Sequence, residues 1–171
     1  MTAMRSAALT VLVCFAIVAQ TVIFRFISVD GVVPNLALIL VVVAAIARGS
    51  QFAAVLGFGA GLLLDLAPPA DHIAGRWALA LVIVGYLAGR VRQDARTSPM
   101  MAVVLVGAAS FIGTSLFALS GAVLGDGTWA IDETIRVIVI SVLWDLMLAP
   151  FLVPLLLWLL DRVRPARLAL G

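Results

Sequence analysis

Charge is what this chain has least of. Only 12% of its residues are charged, while 64% are hydrophobic and the mean hydropathy is +1.23. A soluble domain carries about 25% charged residues. A domain this small has too much exterior to hide so many apolar groups from water, so the bilayer must be part of its solvent. At about 20 residues per transmembrane helix, six spans use about 120 residues of the chain. The remainder suffices for loops and tails only. The expected architecture is therefore all-α: a polytopic membrane protein of about six transmembrane helices, with residues 1–171 as a single integral membrane domain. Any site must lie within the membrane or at its face.

Other scarcities exclude further classes. A lone cysteine, Cys14, can form neither an internal disulfide nor a zinc site. It reads as a small buried apolar residue. The single histidine, His72, has no second His or Cys to share a metal and reads as a solvated loop residue. Lysine is absent, and the all-arginine usage reads as a coding bias rather than as phosphate recognition. A net charge of +2 carries no nucleic-acid signal. There is no P-loop, GxSxG, HExxH or CxxC. Ser110, Thr114, Ser115 and Ser120 fall in one apolar run, but no base is evident to activate a serine nucleophile. No catalytic residue, cofactor, metal or small-molecule substrate is expected.

What remains is a series of apolar runs. The first is Ala7 to Phe24. Ile17-Val18-Ala19 is a poor cleavage site and the run continues past it, so a retained helix is expected rather than a signal peptide. The second, Pro34 to Ala47, opens on a proline that suits a first helical turn. The third is Phe52 to Leu66. Both are short, so residues 34–66 read either as two thin spans or as a re-entrant hairpin. The fourth run is Trp77 to Ala88 and the fifth Met100 to Leu124. The last, Ile135 to Leu160, is interrupted by Pro150 and Pro154. With the N-terminus inside, Arg5, Arg48, Arg90, Arg92, Arg96, Arg162, Arg164 and Arg167 are cytoplasmic. Only Arg25, Arg76 and Arg136 are external. The positive-inside rule favours that orientation, with both termini cytoplasmic. Trp77, Trp129, Trp144 and Trp158 include candidate interfacial anchors.

Two acids fall within the runs. Asp65 follows Ala53, Gly57 and Gly61 at four-residue steps, which places all four on one helix stripe. Small residues so spaced let a second helix approach closely. Asp65 thus reads as a polar anchor ending a packing seam, and the seam is expected to pack on another helix of this chain or of a partner. A proton or cation site is the alternative. Asp145 lies deeper in the last run and must face protein, water or a partner rather than lipid. With Pro150 and Pro154 it reads as a polar contact in a kinked helix, or as part of a broken-helix binding site. A second small-residue face runs from Gly107 through Ser110, Thr114 and Ala118 to Gly121 and Gly125.

The ordered features resemble a known family. Gln20 stands late in the first run and "PN" (Pro34-Asn35) opens the second. "GFGAGLLLD" (Gly57 to Asp65) fills the third, "GYLAGR" (Gly85 to Arg90) closes the fourth, and "DRVRP" (Asp161 to Pro165) ends the last. Together they look like MreD, the bacterial rod shape-determining membrane protein, over nearly the whole chain. The resemblance implies a non-enzymatic, multi-pass cell-membrane component of the wall-elongation machinery. Its implied partners are an MreC-like bitopic protein and, through it, MreB, RodA and an elongation-specific penicillin-binding transpeptidase. It also implies a helical arrangement similar to the substrate-binding subunits of energy-coupling-factor vitamin transporters. A small-solute-binding subunit is the competing expectation.

Overall fold

The structure is a computed structural model that describes residues 12–68, 72–125 and 130–162. The start of the first run at Ala7, Trp129, and the charges at Arg5, Asp71, Asp126, Arg164 and Arg167 lie outside them. Seven helices make up the described chain. They are α1 (Leu12–Ile23), α2 (Leu36–Arg48), α3 (Ser50–Leu66), α4 (Arg76–Arg90), α5 (Arg92–Thr97), α6 (Pro99–Leu124) and α7 (Ile131–Arg162). Of these, α6 and α7 are long and apolar enough to cross a membrane, while α1, α2 and α3 are shorter apolar helices. At 1.5 Å per residue α6 and α7 rise about 39 and 48 Å, more than the roughly 30 Å hydrocarbon core.

The core is built around α2. Every residue from Leu36 to Ala47 is buried, because α3, α4, α6 and α7 all pack on it. Apolar side chains all round the helix suit that central place. It rises only about 20 Å, and its enclosure removes the need to match the bilayer. Gly49 alone joins α2 to α3 and donates its N–H to Ala45 at 2.8 Å. Its φ of +95° is a conformation that a side chain disfavours. The chain therefore turns sharply enough to lay α3 beside α2.

The most extensive helix pair is α3 with α4. Gly57 lies against the backbone of Leu81, Gly61 against Ala78 and Trp77, and Gly89 against Ser50. A Cβ on Gly85 would stand 2.6 Å from the carbonyl oxygen of Ala53. Small residues on both helices thus bring two backbones into contact.

Several expectations are settled or corrected. The last run is one helix rather than a broken one: α7 continues through Pro150 and Pro154. Both prolines are exposed and border a groove facing α5 and the start of α6, while Ala149 and Val153 are buried. The helix also begins four residues before Ile135, at Ile131. The short α5, with arginines at Arg92 and Arg96, had no apolar run to announce it. Cys14 points outward rather than into the core.

Candidate functional site

Asp65 ends the seam between α3 and α4, and its side chain is wholly buried. Its partners are main-chain amides at the start of α4. Gly75 donates its N–H to Oδ2 at 2.8 Å, Trp77 to Oδ1 at 3.0 Å, and Ala78 to Oδ2 at 3.1 Å. The first amides of a helix have no partner within it. They are normally capped by the preceding side chain, but Gly75 has none, and its φ of +101° favours glycine. The cap is supplied instead by the neighbouring helix, and its negative charge meets the positive end of the α4 dipole. His72 is not a solvated loop residue: Nδ1 lies 3.7 Å from Asp65 and the ring stands edge-on to Phe117.

Arg76, read in the sequence as an external loop charge, is buried beside this cap. Its Nη2 donates to the Phe117 carbonyl at 2.7 Å, and its guanidinium covers the Phe117 ring at 3.9 Å. Gly121 provides the room, since a Cβ there would meet the Arg76 guanidinium. Trp77 stacks on Phe117 as well, with centroids 4.5 Å apart. The start of α4 is thereby tied to α3 through Asp65 and to α6 through Arg76.

Asp145 plays a parallel part at the start of α2. It projects from the one buried stripe of α7, Ser141–Asp145–Ala149–Val153. Its Oδ1 accepts the Asn35 N–H at 2.8 Å, and Asn35 Oδ1 in turn accepts the Leu38 N–H at 2.9 Å. Asn35 is thus the N-cap of α2, and Asp145 holds the capping residue. Pro34 precedes the helix rather than entering it, and Pro150 takes no part in the polar contact. Replacing Asp145 with alanine leaves the Asn35 N–H without an acceptor and is expected to cost about 1–3 kcal/mol. Asparagine keeps one acceptor and is expected to cost less than about 1 kcal/mol. Thermal unfolding in mild detergent checks this, and equal losses for both would move the importance from hydrogen bond to charge.

Near this second cap lies a cavity of about 360 Å³. Gln20, Asn35, Thr114 and Ser141 line it, each buried, with Trp77 and Phe117 also in the wall. Gln20 reaches it from a π-helical turn, Ala19–Ile23, at the end of α1. Such turns recur at functional sites. Gln20 Oε1 and Asn35 Nδ2 are enclosed and meet no hydrogen-bond partner among the described residues. Gln20 was noted in the sequence only for its position, and its role here was missed.

Among the described residues no group of three or more His, Cys, Asp or Glu side chains could hold a metal ion. The two buried carboxylates lie in separate caps and make no dyad. Their chemistry is the acceptance of backbone N–H groups, which fastens helix ends.

A family model described as rod shape-determining protein MreD matches residues 2–163. Comparison with curated proteins returns no match, and comparison with solved structures returns none. A match over so much of the chain, on an all-helical fold with long apolar helices, makes this chain a member of the MreD family of rod shape-determining proteins.

Proposed function

We propose that this chain is a non-enzymatic, multi-pass scaffold of the wall-elongation machinery, with both termini in the cytoplasm. It holds an MreC-like single-span protein and, through it, MreB, RodA and an elongation-specific penicillin-binding transpeptidase. One observation carries this reading. The outward side of the α6–α7 pair bears a groove of about 250 Å³, lined by Phe111, Ile135, Ile138, Val139, Val142 and Leu143. It is wholly apolar in its side chains, and a transmembrane helix of a partner can lay an apolar ridge into it. Filling it with Val139→Trp and Leu143→Trp is expected to lower co-purification of MreC about tenfold, equivalent to about 1.4 kcal/mol, with the protein itself accumulating normally. Undiminished MreC capture by both variants would sink this reading.

A second reading, a small-solute-binding subunit with an energy-coupling-factor-like arrangement, is favoured by the polar cavity at Gln20 and Asn35. Depletion separates the two. Loss of rod shape with intact solute uptake supports the scaffold, and the reverse supports the solute-binding subunit.

A further inference from the structure

The cavity beside the start of α2 has more room than its own polar groups need. Its roughly 360 Å³ lie between α1, the segment before α2, α4, α6 and α7. Small-molecule sites run from about 300 to 1,000 Å³, with apolar walls and a few polar groups among them. Here Trp77 and Phe117 stand in the wall, stacked at 4.5 Å, and Val137 adds aliphatic surface. Water alone would leave those faces wet, whereas a planar ring would cover them.

The polar groups narrow the chemistry. Gln20 and Asn35 are 8% and 7% exposed, and Gln20 Oε1 and Asn35 Nδ2 meet no partner among the described residues. An unpaired buried polar atom is costly, and a bound molecule can offset that cost. Asn35 is fixed by its cap on α2. Gln20 can turn, because the terminal amide torsion of glutamine is broad. Turned to the cavity, it presents a carbonyl and an NH₂ side by side. The complement is another amide edge with N–H and C=O on the same side, as in a primary carboxamide or a lactam. A trans peptide unit cannot supply it, since its N–H and C=O point to opposite sides. Thr114 and Ser141 add hydroxyls that donate or accept. Asp30 and Glu133 stand at the exposed side, and no basic side chain among the described residues lines the cavity. Asp30 is paired with Arg136, which leaves Glu133 to set a negative potential against anions.

We propose that this cavity binds a small uncharged molecule that joins a planar ring to an amide edge whose N–H and C=O lie on the same side. Gln20 reads that edge, and Trp77 and Phe117 receive the ring. The site rests on the solute-binding reading of the cavity and adds the ligand's chemistry to it. Transport is not required.

Equilibrium dialysis of radiolabelled benzamide against the purified full chain in mild detergent, with empty micelles as reference, tests it. Benzamide is expected to bind with a dissociation constant of about 1 mM or tighter. N-methylbenzamide, whose amide is trans, and benzoate, an anion, are expected to bind at least about tenfold more weakly. Gln20→Met keeps the side-chain length and removes the amide. It is expected to bind benzamide about tenfold more weakly. Its unfolding temperature is expected not to fall, because an unpaired buried oxygen goes with the amide. Ala118→Phe fills the cavity and is expected to abolish binding. Leu119→Phe, exposed on the same helix, is expected to stay within about twofold. Equal binding of all three compounds, or of benzamide to the parent and to Gln20→Met, overturns the site. Binding no greater than to empty micelles overturns it too. Saturable benzamide binding together with unchanged solute uptake after depletion supports the site and removes only the transport reading.

Discussion

Asp65→Ala is expected to destabilise the protein by about 3–5 kcal/mol, the scale of removing one partner from a buried charged contact. The mutation strips the acceptor from three N–H groups at once, those of Gly75, Trp77 and Ala78. None of the three can turn to a carbonyl of its own helix, because the first amides of a helix precede any acceptor. The favourable meeting of carboxylate and helix dipole is lost with them. Asp65→Asn keeps one oxygen but turns an N–H₂ group toward donors, so it is expected to fall between alanine and the parent. Unfolding free energies measured in mild detergent provide the check. An alanine variant within about 1 kcal/mol of the parent would show that water satisfies these amides as well as Asp65 does.

The second large effect is expected from Gly61→Leu. Its Cβ would fall on the backbone of Ala78 and within 2.6 Å of the Trp77 carbonyl carbon. Backbone cannot rotate out of the way as a side-chain tip can, so α3 and α4 must separate. A loss of about 3 kcal/mol or more is expected, at or beyond the upper end for overpacked cores. Gly59, on the outward side of the same helix, has nothing within 4 Å of its Cβ direction. Gly59→Leu is accordingly expected to cost nothing and to gain up to about 1 kcal/mol, since leucine outranks glycine in a helix interior. If both leucines cost the same, close approach to α4 does not explain the glycine at 61. Because separation also withdraws Asp65 from α4, Asp65→Ala and Gly61→Leu together should cost less than their sum.

The stripe Ala53–Gly57–Gly61–Asp65 was legible in the sequence because it depends only on helical period, and all four residues are buried. That Asp65 accepts hydrogen bonds from a neighbouring helix or the next loop was legible, but which donors it takes was not. Its partners are main-chain amides, which every residue but proline carries, and the capping position itself is a glycine that leaves no side-chain signal. Arg76 was misread for a related reason. A charge next to a helix start looks like a loop residue until Phe117 and Gly121, from a distant helix, are seen to receive it. The prolines of α7 left a kinked and a broken helix open, and the helix is continuous. The rule that proline breaks a helix is local, whereas the inner stripe of Ala149 and Val153 remains packed across both. The polar cavity required five separate segments to be brought together, and no spacing along the chain announces that.

The enclosure of α2 also bears on the order in which the protein is made. Its capping residue Asn35 is held by Asp145, 110 positions later in the chain. The helix at the centre of the bundle thus leaves the ribosome well before α7, which delivers the group that secures its start. Until α7 arrives, α2 has only its nearer neighbours for shelter and its Asn35 amide lacks its final acceptor. Closure of the core around α2 therefore waits for α7, and a chain halted before that helix lacks the group that fastens the start of α2.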